Sequence, residues 1–183
     1  MGLVRALVVG VGNRMYGDDG YGDLLVEALE RCGARGFETF RGSHLGLGML
    51  GFLEGYDVLV FIDVVDPSLG GDPGNVVTME IDPTRVPAEE YGPIVRGTDS
   101  HRVSPAHLVA LLYSSGLFRG KAYLVGVVPG TLEFGRPVSE TVLKATPKVL
   151  KSLESLLKSL GLENFYWDSE CLVKTIRELS SRG

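Results

Sequence analysis

Residues 6–22 read Ala-Leu-Val-Val-Gly-Val-Gly-Asn-Arg-Met-Tyr-Gly-Asp-Asp-Gly-Tyr-Gly. The stretch begins with a short apolar, β-branched run, which predicts a buried strand. Gly10 and Gly12 then allow a sharp turn and a close approach of the backbone. Two acids, Asp18 and Asp19, precede apolar residues at helical spacing. This order of strand, loop and helix predicts an open α/β sheet with both acids at the carboxyl end of a strand, where such sheets bind ligands.

The glycine-rich loop is close to a dinucleotide-binding fingerprint but departs from it. The fingerprint requires Gly-x-Gly-x-x-Gly, and Met15 stands where its third glycine belongs. A pyrophosphate would also meet the carboxylates of Asp18 and Asp19 where it needs a positive helix end. A nucleotide-binding α/β module, with Arg41 meeting a 2′-phosphate, therefore stays an alternative. The simplest structural role of the two acids is to cap the following helix and complement its dipole.

Length and composition indicate one globular domain. The chain has 183 residues, of which 44% are hydrophobic and 22% are charged, and this length supports one sizeable core. The net charge of -5 argues against binding of nucleic acid. The apolar runs are far shorter than the ~20 residues of a membrane-spanning helix, and the N-terminal residues lack the pattern of a signal peptide. We expect a cytoplasmic protein without membrane insertion.

Further along the chain, the apolar pattern predicts the sheet. The run Val58–Ile62 is apolar throughout, which is typical of a central strand, and Asp63 follows it. The link to a fourth strand at Val76–Ile81 is rich in Gly and Pro, so we expect it to hold no helix. Because a parallel crossover usually needs a helix, the fourth strand should be antiparallel. The predicted fold class is a three-layer α/β/α sandwich with a twisted, mostly parallel, five-stranded mixed sheet.

The C-terminal part and the cysteines add two further expectations. We expect the α/β/α domain to span residues 1–161 and a helical tail, residues 162–183, to pack on it or extend from it. Cys32 and Cys171 have neither Cys-x-x-Cys nor metal-ligand spacing, so we interpret them as thiols near helix ends without a functional role. The sequence leaves open whether they pair.

Three side chains converge on one edge of the predicted sheet. Asp19 follows the first strand, Asp63 follows the third, and His101 lies in a loop before a helix. Two carboxylates and an imidazole suit a first-row divalent metal, which can polarise a carbonyl or lower the pKa of a bound water. His107 is a rival to His101 but falls inside a helical pattern. His44 follows the second strand at the same edge.

The spacing at positions 10–22, Gly-x-Gly-Asn, four residues, two acids, two residues, Gly, resembles the opening motif of the nickel–iron hydrogenase maturation proteases. Residues 100–108 and 124–133 are similar to further segments of that family, and the similarity covers about residues 4–160. One departure is Arg41, since the family usually carries an acid after its second strand. This departure leaves open which hydrogenase precursor is recognised.

The resemblance implies an endopeptidase that removes the C-terminal extension of a hydrogenase large-subunit precursor. It implies that Asp19, Asp63 and His101 bind metal, and that this metal is nickel carried by the precursor; no nucleotide is expected. Asp19 or Asp63 would also serve as the catalytic general base. Three further side chains are expected to line the substrate groove: Asn13, Asp18 and His44.

A third class of function is a non-catalytic assembly factor with the same fold, which would bind a precursor without cutting it. Retention of all three implied ligands argues against this class, and a cleavage assay distinguishes it from a protease. A serine nucleophile is less favoured, because the sequence contains no Gly-x-Ser-x-Gly elbow.

Overall fold

The structure is a computed structural model, and it describes residues 4–42, 46–87, 89–90 and 103–182. Its strands are β1 (Ala6–Val11), β2 (Glu38–Gly42), β3 (Val58–Val64), β4 (Val76–Ile81) and β5 (Lys121–Val127). Its helices are α1 (Tyr21–Arg31), α2 (Leu50–Leu53), α3 (Pro67–Gly70), α4 (Pro105–Ser114), α5 (Glu140–Ser159) and α6 (Ser169–Ser180). Short 3-10 turns cover Gly17–Gly20, Leu47–Met49 and Pro83–Arg85.

The five strands form one mixed sheet in the order β2-β1-β3-β5-β4. The first four of these are parallel, and β4 is antiparallel to β5. The apolar strand β3 lies in the middle, where both of its faces are covered, as its sequence predicts. Helices pack on both sides of the sheet, which confirms the predicted three-layer α/β/α fold class.

The connection from β3 to β4 differs from its prediction in one detail. The expectation that this link holds no helix is wrong, because Pro67–Gly70 forms the single turn α3. The side chain of Asp66 caps that turn by accepting the Ser68 N–H at 2.8 Å, and Pro67 is at the first position, which favours a helix start. One turn is still too short to return the chain to the amino end of the sheet, so β4 runs antiparallel as expected.

The two faces of the sheet bury two separate apolar clusters. Alternate residues of the central strands point to opposite sides. One side packs against α1, α5 and α6 through residues that include Val8, Val60 and Val125. The other side packs against α4 and the segment before β3 through residues that include Val9 and Phe61. The carboxyl ends of β1 and β3 are thereby held at the same edge, between the two helical layers.

The C-terminal helix α6 is fastened to α1 by packing and by a covalent bond. Leu172 and Ile176 are fully buried in the cluster that also contains α1. Cys32, just after α1, forms a disulfide with Cys171 near the start of α6, with a Cα–Cα distance of 6.0 Å. The two cysteines, whose pairing the sequence left open, are therefore bonded to each other and are not free thiols. The pairing depends on tertiary packing between segments 139 residues apart.

Among the described residues, no helix has the length and apolar character needed to cross a lipid bilayer. The cytoplasmic location stays a prediction.

We predict that opening the disulfide destabilises the protein. Replacing both Cys32 and Cys171 by Ser should lower the free energy of unfolding by about 2–4 kcal/mol, since a cross-link over a long loop restricts the unfolded chain. Denaturant unfolding measures this change. A reductant should shift the wild-type transition similarly and leave the double variant unchanged. A wild-type transition that ignores the reductant would contradict the prediction.

Candidate active site

The loop after β1 folds back on itself because of Gly12. This residue has φ +126, which favours glycine. A Cβ atom at this position would lie only 1.6 Å from the carbonyl oxygen of Asp19. The first glycines of the motif therefore bring the backbone of the acidic turn directly against the end of β1.

A second glycine brings the start of α1 against two strand ends at once. A Cβ atom at Gly22 would lie 2.1 Å from the carbonyl oxygen of Ile62 in β3 and 2.4 Å from that of Val11 in β1. No side chain fits there. The acidic turn Gly17–Gly20 is thus placed beside the carboxyl ends of two neighbouring parallel strands.

The carboxylate of Asp19 is half-buried in this turn. Its Oδ2 accepts the backbone N–H of Asn13 at 2.7 Å, and its own N–H donates to the carbonyl oxygen of Tyr16 at 3.2 Å. The Asn13 side chain accepts the N–H of Met15 at 2.9 Å. Asn13 therefore shapes the turn that orients Asp19, through its side chain as well as its backbone.

The carboxylate of Asp63 is half-buried near the end of β3. Burial raises the pKa of Asp63 to about 7; the hydrogen bond from the Val64 N–H opposes this rise, and the negative charge of Asp19 adds to it. Its Oδ1 accepts that N–H at 2.8 Å. The acidic turn and the end of β3 thus share one edge of the sheet, and the negative charge of Asp19 contributes to the raised pKa of Asp63.

Asp18 has a different role from its neighbour. It is 0% exposed, and its Oδ2 accepts the N–H groups of Gly130 and Thr131 at 2.7 and 2.9 Å. The Ser139 N–H donates to Oδ1 at 2.6 Å and the Ser139 hydroxyl to Oδ2 at 2.9 Å. This burial does not fit a groove-lining residue, and these bonds reach the start of α5 instead of capping α1. Asp18 joins the loops that follow β1 and β5.

A network of acids and arginines, centred on Asp23 and Glu27, lies beside the acidic turn. Asp23 and Glu27 in α1 are buried. Arg14 donates to Asp23 at 2.5 Å and also to Glu27, and Arg41 of β2 contacts Asp23 at 3.1 Å and Glu27 at 3.0 Å. The network ties α1 and β2 to the loop after β1. Its one signal in the sequence is a pair of acids four residues apart among the apolar residues of α1.

The charges in this network are all compensated. Burial would raise the pKa of Glu27, but the hydrogen bond and charge of Arg14, with the charge of Arg41, outweigh it and lower that pKa. The hydrogen bond to Asp23 raises the pKa of Arg41. Arg41 is therefore engaged by carboxylates, which disfavours the alternative in which it meets a 2′-phosphate.

Of the three histidines, only His107 lies within the described residues. His101 and His44 lie outside the described residues. His107 is in α4, where its Nδ1 accepts the N–H of Ser104 at 3.3 Å and its backbone N–H donates to the Ser104 hydroxyl at 3.2 Å. Its Nε2 lies 3.4 Å from a carboxylate oxygen of Glu90. Both ring nitrogens of the rival His107 thus have partners in its own cap and in Glu90.

Within residues 4–42, 46–87, 89–90 and 103–182, no group of three or more His, Cys, Asp or Glu side chains is arranged to hold a metal ion. Of the three predicted ligands, the structure describes Asp19 and Asp63, which lie at the same edge of the sheet. Two carboxylates that repel each other in a half-buried site fit a divalent cation, because the cation would relieve their repulsion.

Sequence comparisons identify the family. A family model described as hydrogenase maturation protease matches residues 25–156. The hydrogenase 2 maturation protease of Escherichia coli K12 is 30% identical over 162 residues, which cover 87% of this chain and 94% of that relative. The chain belongs to the hydrogenase maturation protease family. The hydrogenase expression/formation protein HupD of Rhodobacter capsulatus is 31% identical, over 87% of this chain and 74% of HupD.

Solved structures agree with the sequence relatives. The hydrogenase-maturating endopeptidase HybD of Escherichia coli matches with a TM-score of 0.68 and 28% identity, over 91% of this chain and 99% of HybD. The hydrogenase 2 maturation peptidase of a Thaumarchaeota archaeon matches with a TM-score of 0.57 and 29% identity, over 87% of this chain and 99% of that peptidase. As a hydrogenase maturation protease, the chain is a hydrolase with an endopeptidase role in hydrogenase maturation. The alternatives of a nucleotide-binding module and a non-catalytic assembly factor are disfavoured accordingly.

We predict that Gly22→Ala damages the fold at the site. The added methyl group would collide with carbonyl oxygens of two strands, so the free energy of unfolding should fall by more than about 2 kcal/mol. Gly51→Ala in α2 is the matched control, because a Cβ there meets nothing within 4 Å. It should be neutral or stabilise the protein by up to about 1 kcal/mol. Equal unfolding curves for the two variants would contradict this reading of Gly22.

We predict that Asp63 makes stability depend on pH. Between its usual pKa of 3.8 and the folded value of about 7, the folded protein keeps a proton that the unfolded chain releases. The contribution of this group to the free energy of unfolding therefore falls as pH rises through that window. Asp63→Asn should remove the dependence. The free energy of unfolding of this variant should exceed that of wild type by an amount that grows from pH 4 to pH 7.5, up to about 4 kcal/mol.

Denaturant titrations of metal-free protein across this pH range test the prediction. Asp72→Asn, at an exposed loop position, serves as the control and should follow the wild-type curve. Parallel curves for wild type and Asp63→Asn would show that Asp63 has an ordinary pKa.

Proposed function

We propose that this hydrogenase maturation protease removes the C-terminal extension of a nickel-loaded hydrogenase large-subunit precursor, and that it recognises the nickel through Asp19, Asp63 and His101. The observation that carries the proposal is that the turn holding Asp19 packs against the ends of the adjacent parallel strands β1 and β3, the second of which carries Asp63. The name of the Escherichia coli relative, hydrogenase 2 maturation protease, supports the substrate class.

The nickel is part of the substrate in this proposal. Carboxylate oxygens and an imidazole nitrogen are suitable ligands for a first-row divalent ion. Asp19 is oriented by the Asn13 N–H and Asp63 by the Val64 N–H, so both carboxylates are held before the precursor arrives. Little reorganisation is then needed when the ion enters between them.

The substrate's metal and the protein have separate chemical roles in cleavage of the peptide bond. A nickel ion next to the scissile bond can polarise its carbonyl group or lower the pKa of a bound water. The pair Asp19 and Asp63 supplies oxygen ligands and the general base that takes the proton of the attacking water. Asn13 and Asp18 support the turn that carries Asp19, and a role in substrate binding is proposed for His44.

Selectivity follows from a site that the substrate completes. The sequence has no His-Glu-x-x-His motif, the arrangement by which many metalloproteases hold their own zinc and base. A precursor without nickel would leave the two carboxyl groups without a metal to bind and the scissile bond unactivated. Only the loaded precursor assembles a working site, which is selectivity by induced assembly.

The decisive experiment incubates the protein with nickel-loaded and nickel-free precursor and follows loss of the C-terminal extension by mass spectrometry. Wild type should process only the loaded precursor. Asp19→Asn and Asp63→Asn should each slow processing by about a thousandfold, because each removes a ligand or base. Asp72→Asn, an exposed loop acid elsewhere, should process at the wild-type rate.

Two results would overturn different parts of the proposal. Processing of nickel-free precursor at the normal rate would refute recognition of nickel. Normal processing by Asp19→Asn would refute the assignment of the residues while leaving the family's endopeptidase role untouched. Circular dichroism of each variant separates loss of activity from loss of fold.

A further inference from the structure

Four exposed apolar side chains border the turn that carries Asp19. We call them the apolar rim: Met15, Tyr16, Leu132 and Phe134. Met15 is 55% exposed and Phe134 is 65% exposed. The rings of Tyr16 and Phe134 pack edge to face with centroids 5.4 Å apart. The rim thus joins the loop after β1 to the loop after β5 on the protein surface.

The backbone beneath the apolar rim is firmly held. The Gly135 N–H donates to the Met15 carbonyl at 2.7 Å, and the Gly17 N–H donates to the Arg136 carbonyl at 3.1 Å. The buried carboxylate of Asp18 binds both N–H groups at the start of the second loop. The exposed side chains therefore stand on two cross-linked loops, which keeps them in place without a partner.

Such a surface has the character of a prepared binding site. Clustered apolar side chains on a soluble protein mark interaction sites more often than singly scattered ones. Aromatic residues are the commonest anchors of protein interfaces. A surface that is rigid before binding loses less conformational entropy when the partner arrives. Met15 also occupies the position that a dinucleotide-binding loop reserves for glycine, so this loop presents bulk where a cofactor would need space.

The position of the apolar rim indicates which partner covers it. The Tyr16 carbonyl accepts the N–H of Asp19, so the rim begins within one turn of the proposed catalytic carboxylate. A protein that brings a peptide bond to Asp19 must pass over the adjacent surface. The rim and the carboxylate therefore share one macromolecular ligand.

We propose that the apolar rim is the docking surface for the hydrogenase large-subunit precursor, and that it receives an apolar segment of the precursor beside the scissile bond. The inference rests on the proposed function for its choice of partner. Because the rim contacts the protein part of the precursor, its contribution to binding is independent of nickel. The metal then controls cleavage, while the rim controls affinity.

Binding of nickel-free precursor tests the apolar rim without any cleavage. The double variant Tyr16→Ala/Phe134→Ala should bind this precursor about tenfold more weakly than wild type, or weaker, as expected for aromatic anchors. With nickel-loaded precursor its KM should rise by a similar factor. Tyr166→Ala is the matched control, since Tyr166 is 50% exposed against 44% for Tyr16 and lies next to Arg35 before β2. It should bind as wild type does.

A second variant and an oligomer measurement keep the outcomes distinct. Met15→Ser/Leu132→Ser probes the same surface without touching the packed rings, and it should also weaken binding. Unchanged Kd and KM in both double variants, with normal cleavage by wild type, would overturn the docking surface and leave the proposed function standing. If the rim variants bind precursor more weakly but wild type does not cleave the loaded precursor, the docking surface would stand and the proposed function would be overturned. If wild type is a dimer and the rim variants are monomers with an unchanged Kd for the precursor, a second copy of the chain covers the rim. This result would overturn the proposal.

Discussion

The buried carboxylate of Asp18 is the contact on which the site depends. A desolvated carboxylate is strongly destabilising unless donors replace its water. Here three backbone N–H groups and one hydroxyl do so, all from Gly130, Thr131 and Ser139. The turn after β1 can therefore adopt this conformation only when the loop after β5 is in place. The position of Asp19 is thus decided by residues more than 110 positions away.

The adjacent residues Asp18 and Asp19 have different environments, because their side chains leave the same short turn in different directions. Asp18 points into the protein and is saturated with donors, while Asp19 remains half-buried next to Asp63. The sequence placed both at the correct edge of the sheet, since the preceding strand and the glycines are local signals. It could not separate their roles, because a loop has no periodicity from which to tell an inward side chain from an outward one.

The fold was predictable where the deciding interactions are local, and less so where they are not. The continuous apolar run of β3 was enough to predict that this strand lies in the middle of the sheet. The short link from β3 to β4 was enough to predict that β4 runs antiparallel. The disulfide of Cys32 and Cys171 and the network around Asp23 were missed. The disulfide joins segments that meet only after the helices dock, so no spacing in the sequence records it. The network leaves only a pair of acids four residues apart in α1, which does not reveal that Arg14 and Arg41 are their partners. The turn α3 was missed because its Gly and Pro content reads as a loop.

The network around Asp23 also bears on the role proposed for Asp19 and Asp63. Arg14 and Arg41 lie close to the turn, and a guanidinium beside Asp19 or Asp63 would hold that carboxylate's pKa down and compete with a cation. Asp23 and Glu27 engage both arginines instead. The pKa of Asp63 is consequently governed by burial, its Val64 hydrogen bond and the charge of Asp19. The protein thus engages these arginines with Asp23 and Glu27, and this leaves the carboxyl groups of Asp19 and Asp63 to the substrate's metal in the proposed function.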